Sequence, residues 1–170
     1  MTTQRSTARR TKPATSCWEL VEKARNVHEI RFAPCGGGSE RWVLVVADQH
    51  WDNPKCDRER LERHYREAVE KDAPIISVGD LFCAMQGRYD KRADKSSVRP
   101  EHQEGNYLDQ LVNTAAEWHK PYQRHVTVLG KGNHETSIYK HMETDLLDRL
   151  AERIRHQGLA RSRRFFARRR

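Results

Sequence analysis

Apolar positions fall into two rhythms along this chain, and their alternation predicts an α/β fold. Short β-branched runs at residues 43–47, 75–78 and 126–129 read as buried strands. Between the first two, Leu61, Tyr65, Ala68 and Val69 recur at helical spacing behind Asp57, a residue suited to open a helix, and the pattern ends at Asp72-Ala73-Pro74. That order is a β-α-β unit, for which a right-handed crossover between parallel strands is expected. Leu108, Leu111, Val112, Ala115 and Trp118 form a second helical stripe, capped by Asn106 with Asp109 three residues on and stopped by Pro121. Met142, Leu146, Leu150 and Ile154, spaced by four, predict one final helix.

The N-terminal region has weaker patterning. Residues 1–16 are rich in Thr, Ser, Arg and Pro without any apolar period, which predicts a disordered basic leader. Trp18, Leu20 and Val21 read as the start of a short helix. Residues 29–34 and 41–47 read as two strands, joined as a hairpin through Cys35-Gly36-Gly37-Gly38-Ser39. No Gly-Lys-[Ser/Thr] follows those glycines, so they do not make a phosphate loop. Residues 87–105 have no period and many charges, and a long loop there follows the second buried strand, where it is placed to shape a pocket. The order ββαβαβα fits one half of a layered α/β domain.

Composition narrows the picture only partly. A chain of 170 residues with 36% hydrophobic content supports one lean domain, here bounded at 17–158. The net charge of +8 comes from the ends: Arg5, Arg9, Arg10 and Lys12 at one, and six arginines within the 159–170 segment at the other, which leaves the body near −2. Such ends bind anions or nucleic acid in a salt-sensitive way without reading bases. No apolar run is long enough to span a bilayer and no secretory signal is present, which points to the cytoplasm. Cys17, Cys35, Cys56 and Cys83 show neither C-x-x-C nor zinc-ribbon spacing and are read as reduced, Cys83 as a thiol packing under the strand ends.

The candidate chemistry sits where the three buried runs stop. Asp48-Gln49-His50 follows the first, Gly79-Asp80 the second and Gly132-Asn133-His134-Glu135 the third. Strand ends in open α/β sheets form the rim where ligands bind. The carboxylates of Asp48 and Asp80, the amide oxygen of Asn133 and the imidazole of His50 are donors suited to Mn²⁺, Fe, Zn²⁺ or Mg²⁺, with no thiolate among them. Taken singly, each Asp or Asn also suits a turn or cap.

In order and wording these strings resemble the calcineurin-like metallophosphoesterases, whose signature runs D-x-H, G-D, G-N-H-[DE], then a lone His, then G-H-x-H. The match covers residues 41–154. Gly79-Asp80-Leu81-Phe82-Cys83-Ala84-Met85-Gln86-Gly87 and Arg99-Pro100-Glu101-His102 look like the phage and prophage branch. Ser/Thr protein phosphatases carry G-D-x-x-D-R-G at the second motif, where this chain has Cys83-Ala84-Met85, and that branch is disfavoured. The resemblance implies a layered fold of mixed β-sheets flanked by helices. It implies hydrolysis of phosphomonoesters or phosphodiesters, nucleotides and nucleic acid included, through two divalent metal ions, Mn²⁺ foremost. Asp48 and His50 would hold one ion, Asp80 would bridge, Asn133 would hold the second, and His134 would be the catalytic histidine. Glu135 would orient its neighbours or cap the next helix.

The two later motifs of the signature are missing. After Glu135 the only histidines are His141 and His156, both expected on the final helix and neither taken as a replacement ligand. The chain therefore reads as the N-terminal part of such a domain, with an arginine-rich end at 159–170 that is a frame slip or early stop, a solvated tail, or a nucleic-acid arm. The alternative to an enzyme is an inactive remnant that binds anions weakly. Arg88, Lys91 and His102 in the long loop are either phosphate contacts or solvent-facing charge, and His64, His119 and His125 have no partner at ligand spacing.

Overall fold

The computed structural model describes residues 16–24, 27–34, 37, 39–84, 98–103 and 105–156. Most of the basic leader, the arginine-rich end, Arg88 and Lys91, and most of the glycine-run and 87–105 loops lie outside them. The fold is mixed α/β. Strands β3 (Leu44–Val46), β4 (Ile75–Ser77) and β5 (Val126–Leu129) form a parallel sheet in that order, in register Leu44 to Ile75 and Ile75 to Val126. Helix α1 (Arg58–Glu70) connects β3 to β4, completing the expected β-α-β unit. Asp57 caps it by accepting the Arg60 N–H at 2.9 Å.

Four local expectations are corrected. Residues 18–21 are not helical: β1 (Trp18–Ala24) pairs antiparallel with β2 (Val27–Phe32) in a separate two-stranded sheet. The hairpin is therefore β1 with β2, and residues 29–34 do not pair with 41–47; Leu44–Val46 pairs instead with the apolar strand β4 at one edge of the parallel sheet. The hairpin is tied to the body by the Cys17 N–H, which donates to the Asp72 carboxylate at 2.6 Å. At helix α2 (Tyr107–His119), Asn106 occupies the cap position, but its left-handed φ of 64° turns its side chain away from the first turn and it makes no capping bond. The predicted final helix is two, α3 (Asn133–Met142) and α4 (Leu146–His156), so His141 and His156 lie on different helices. Glu143, at φ 53°, ends the first, and Asp145 starts the second by accepting the Asp148 N–H.

The core joins the parallel sheet and the helices, and no residue of β1 or β2 belongs to it. Tyr65 and Ala68 of α1, Ile75 of β4, Leu111 and Ala115 of α2, and Leu146, Leu147 and Leu150 of α4 are buried in one cluster, each large aliphatic contributing about 1.5–3 kcal/mol. Tyr65, Trp118, His119 and Tyr122 stack edge to face within it. The other sheet face is open at Val45 and Val78, both more than half exposed. No helix among the described residues is long and apolar enough to cross a membrane.

Candidate metal centre at the strand rim

Parallel pairing brings the three strand ends side by side, and the backbone continues the ladder past them. Asp48 N–H donates to Gly79 O (3.1 Å), His50 N–H to Asp80 O (3.0 Å) and Trp51 N–H to Leu81 O (2.8 Å). Along that ladder Asp48, His50, Asp80 and Ala84 all adopt left-handed φ between 42° and 51°. Each such residue costs on the order of 1–2 kcal/mol, and strain of this kind persists where surrounding bonds over-determine the backbone. Gly79 turns at φ 142°, and an added Cβ there would sit 2.9 Å from the Gly132 Cα. Two glycines at one contact let the second and third motifs touch.

The buried carboxylate of Glu135 fastens this junction. Its oxygens accept the N–H groups of Asp80 (3.2 Å), Phe82 (2.9 Å) and Gly132 (2.9 Å), so one side chain binds both strand-end loops. Burial raises its pKa, and the N–H donors of Phe82 and Gly132 oppose that rise. Glu135 thus orients its neighbours, as expected from its place in the third motif. Asp52 performs the same service one turn further on, accepting from Cys83 N (2.5 Å), Ala84 N (2.9 Å) and the Tyr107 hydroxyl (3.1 Å). Gln49 links Ser77 and Tyr65 beneath the rim. The roles of Asp52 and Gln49 carry no local sequence signal, because their partners lie far along the chain.

The expected ligand His50 meets the expected catalytic histidine His134: their rings stand edge to face with centroids 4.7 Å apart. Asp80 is buried, and its Oδ1 accepts the His134 N–H at 2.9 Å. Since Gly132 has no side chain to cap α3, Asp80 supplies the carboxylate at that helix start. Asp48 and Asn133 are exposed at the margin. Among the described residues, the one group of three or more His, Cys, Asp or Glu ligand atoms in mutual reach is His50, Cys83 and His134, within 4.8 Å of one another. Cys83, for which packing beneath the strand ends is the favoured expectation over a metal contact, lies beside the two imidazoles.

The donors present fit a divalent cation. The Nδ1 of His50 is buried without a hydrogen-bond partner, an uncompensated polar atom of the kind that an ion satisfies. They gather at one point, and Asp48 and Asp80 stand outside that group. An open groove lined by Asp48, His50, Asn53, Lys55, Asp57, Arg60 and His64 runs from the rim toward α1; its Arg60 is paired with Asp57 at 3.3 Å, and Lys55 is a cation it offers to an anion. His102, in contrast, is buried and bonded to Thr114, so it faces neither solvent nor this groove. His119 is buried in the core and His125 bonds to the Ala73 carbonyl. No protein-family model, curated protein or solved structure matches this chain.

Proposed function

We propose that the rim is a divalent-metal-dependent phosphoesterase centre, of the metallophosphoesterase type that the three motifs resemble, acting on phosphomonoesters or phosphodiesters. The observation that carries the reading is the convergence of Asp48-Gln49-His50, Gly79-Asp80 and Gly132-Asn133-His134 at one sheet edge, held by the Gly79–Gly132 contact and the Glu135 clamp. Asp48, His50, Asp80 and Asn133 are the residues that would hold the ions, two in the full form of the proposal, with Mn²⁺ the first to test. Such ions supply charge to phosphoryl oxygens and a water that ionises near neutral pH.

The chain's own groups account for the remaining work. The Cys83 carbonyl lies 2.7 Å from Nδ1 of His134, and because a carbonyl only accepts, that nitrogen carries the proton and fixes the ring. Nε2 then presents a lone pair that takes up a proton and, once protonated, delivers it to a leaving alkoxide. Lys55 would receive the substrate's negative charge in the groove, beside the Arg60–Asp57 pair, whether the substrate is a nucleotide, a nucleic-acid strand or a small ester. A cytoplasmic setting belongs to the proposal.

A panel of chromogenic phosphomonoesters and phosphodiesters assayed with Mn²⁺, Mg²⁺ and Zn²⁺ tests the proposal and finds the preferred ester. Hydrolysis that needs added metal and is absent from Asp80→Asn and His134→Ala supports it. Metal-independent rates, or equal rates in those variants, overturn it.

A further inference from the structure

We propose that His50, Cys83 and His134 form a thiophilic N₂S site that takes Zn²⁺, separate in chemistry from the oxygen-rich donor set of the phosphoesterase reading. His50 and Cys83 come from two loops and His134 from the first turn of α3, yet one ligand atom of each lies within 4.8 Å of the others. Tetrahedral zinc, with Zn–N near 2.0–2.1 Å and Zn–S near 2.3 Å, sets its ligand atoms about 3.3–3.6 Å apart.

The surroundings of the three residues already follow the pattern of a zinc site. Metal-bound histidines characteristically donate their other ring N–H to a carbonyl or carboxylate, which fixes the tautomer and raises the basicity of the ligating nitrogen. His134 makes that bond, from Nδ1 to the Cys83 carbonyl, so its Nε2 is the atom left for the ion. The acceptor belongs to the residue that also supplies the sulfur. Cys83 is itself held by the bond from its N–H to Asp52, and the next residue is fixed the same way. The buried, unbonded Nδ1 of His50 is the second independent sign that a ligand belongs here.

Binding replaces the sulfur–hydrogen bond of Cys83 with a sulfur–zinc bond and releases one proton to solvent. Three protein donors leave the fourth tetrahedral position for water or an anion. Zinc seated there also occupies the His134 lone pair. On the phosphoesterase reading, and only on it, zinc would therefore switch hydrolysis off.

Cobalt(II) titrated into the full chain tests the site without any substrate. The expected result is one Co²⁺ per chain, with thiolate-to-cobalt charge-transfer absorption that one equivalent of Zn²⁺ abolishes. Cys83→Ser should remove that absorption and weaken binding by more than roughly tenfold. A variant with Cys17, Cys35 and Cys56 all changed to Ser should keep it, and this second variant decides the matter if Cys83→Ser fails to fold. Absence of the charge-transfer band from the wild type, or its loss with the three other cysteines, overturns the proposal. A chain that hydrolyses esters with Mn²⁺ but shows no such band would refute this site and leave the phosphoesterase reading standing.

Discussion

Replacing Glu135 with Gln keeps the shape of the side chain and removes what it does. In the native protein Oε2 accepts from Asp80 N and Gly132 N while Oε1 accepts from Phe82 N, all in a buried setting. An amide presents one oxygen and one NH₂. Whichever way it turns, at least one backbone N–H then faces another donor, and the bonds that survive lose the charge of the acceptor. A buried donor left unsatisfied costs about 1–3 kcal/mol, and a bond to a charged group contributes about 1.5–3 kcal/mol. With burial already favouring the neutral form of Glu135, the offset from losing the charge is modest, and Glu135→Gln should cost roughly 2–4 kcal/mol. Glu135→Ala strands all three N–H groups and should cost more, a large part of the roughly 5–15 kcal/mol that holds a domain together. Urea unfolding followed by circular dichroism measures both, with Glu70→Gln on the exposed face of α1 expected within about 0.5 kcal/mol of wild type. Wild-type stability in Glu135→Gln would refute the clamp.

Gly132→Ala should destabilise by about 1–3 kcal/mol, because the new methyl would overlap the Asp80 carboxylate and its backbone nitrogen; an unchanged urea midpoint would show that the two loops do not touch. Acid sensitivity should come in part from His119, whose burial pushes its pKa down to about 4 from 6.5. Between those values the unfolded chain binds a proton that the native state does not, so this contribution is complete above pH 6.5 and is lost as pH falls toward 4, by about 3 kcal/mol. Stability measured across that window should fall less steeply in His119→Gln. Asp52→Asn should cost about 1–3 kcal/mol by weakening the bonds to Cys83, Ala84 and Tyr107, and should raise hydrogen exchange at those two amides.

Helix α1 and the three parallel strands were legible because their signals are local. Asp57 caps, Leu61 to Val69 keep one period, and each apolar run is bounded by its own turn residues. The β1 strand was not legible, since Trp18, Leu20 and Val21 are too few to separate a period of 2 from one of 3.6, and pairing with β2 decided the outcome. The regular spacing of Met142, Leu146, Leu150 and Ile154 hid the break at Glu143, because two helices can keep their apolar positions in step across a tight turn. Within the candidate site, the rim positions of Asp48, His50, Asp80 and His134 followed from the motifs and the strand ends. The place of Cys83 did not, for it depends on the loop beyond Asp80 and on a bond to His134, 51 residues away.

The central claim is that residues from three strand ends act as one metal-dependent hydrolytic site. Mn²⁺-dependent kcat/KM on a chromogenic phosphodiester, compared among wild type, His50→Ala, Asp80→Asn, His134→Ala and the triple variant, tests it most directly. Each single change should lower the rate by about 100-fold or more, and the triple variant should be scarcely worse than the worst single one, as for groups that work as a unit. Independent, additive losses, or rates equal to wild type in any of the three folded single variants, would contradict it.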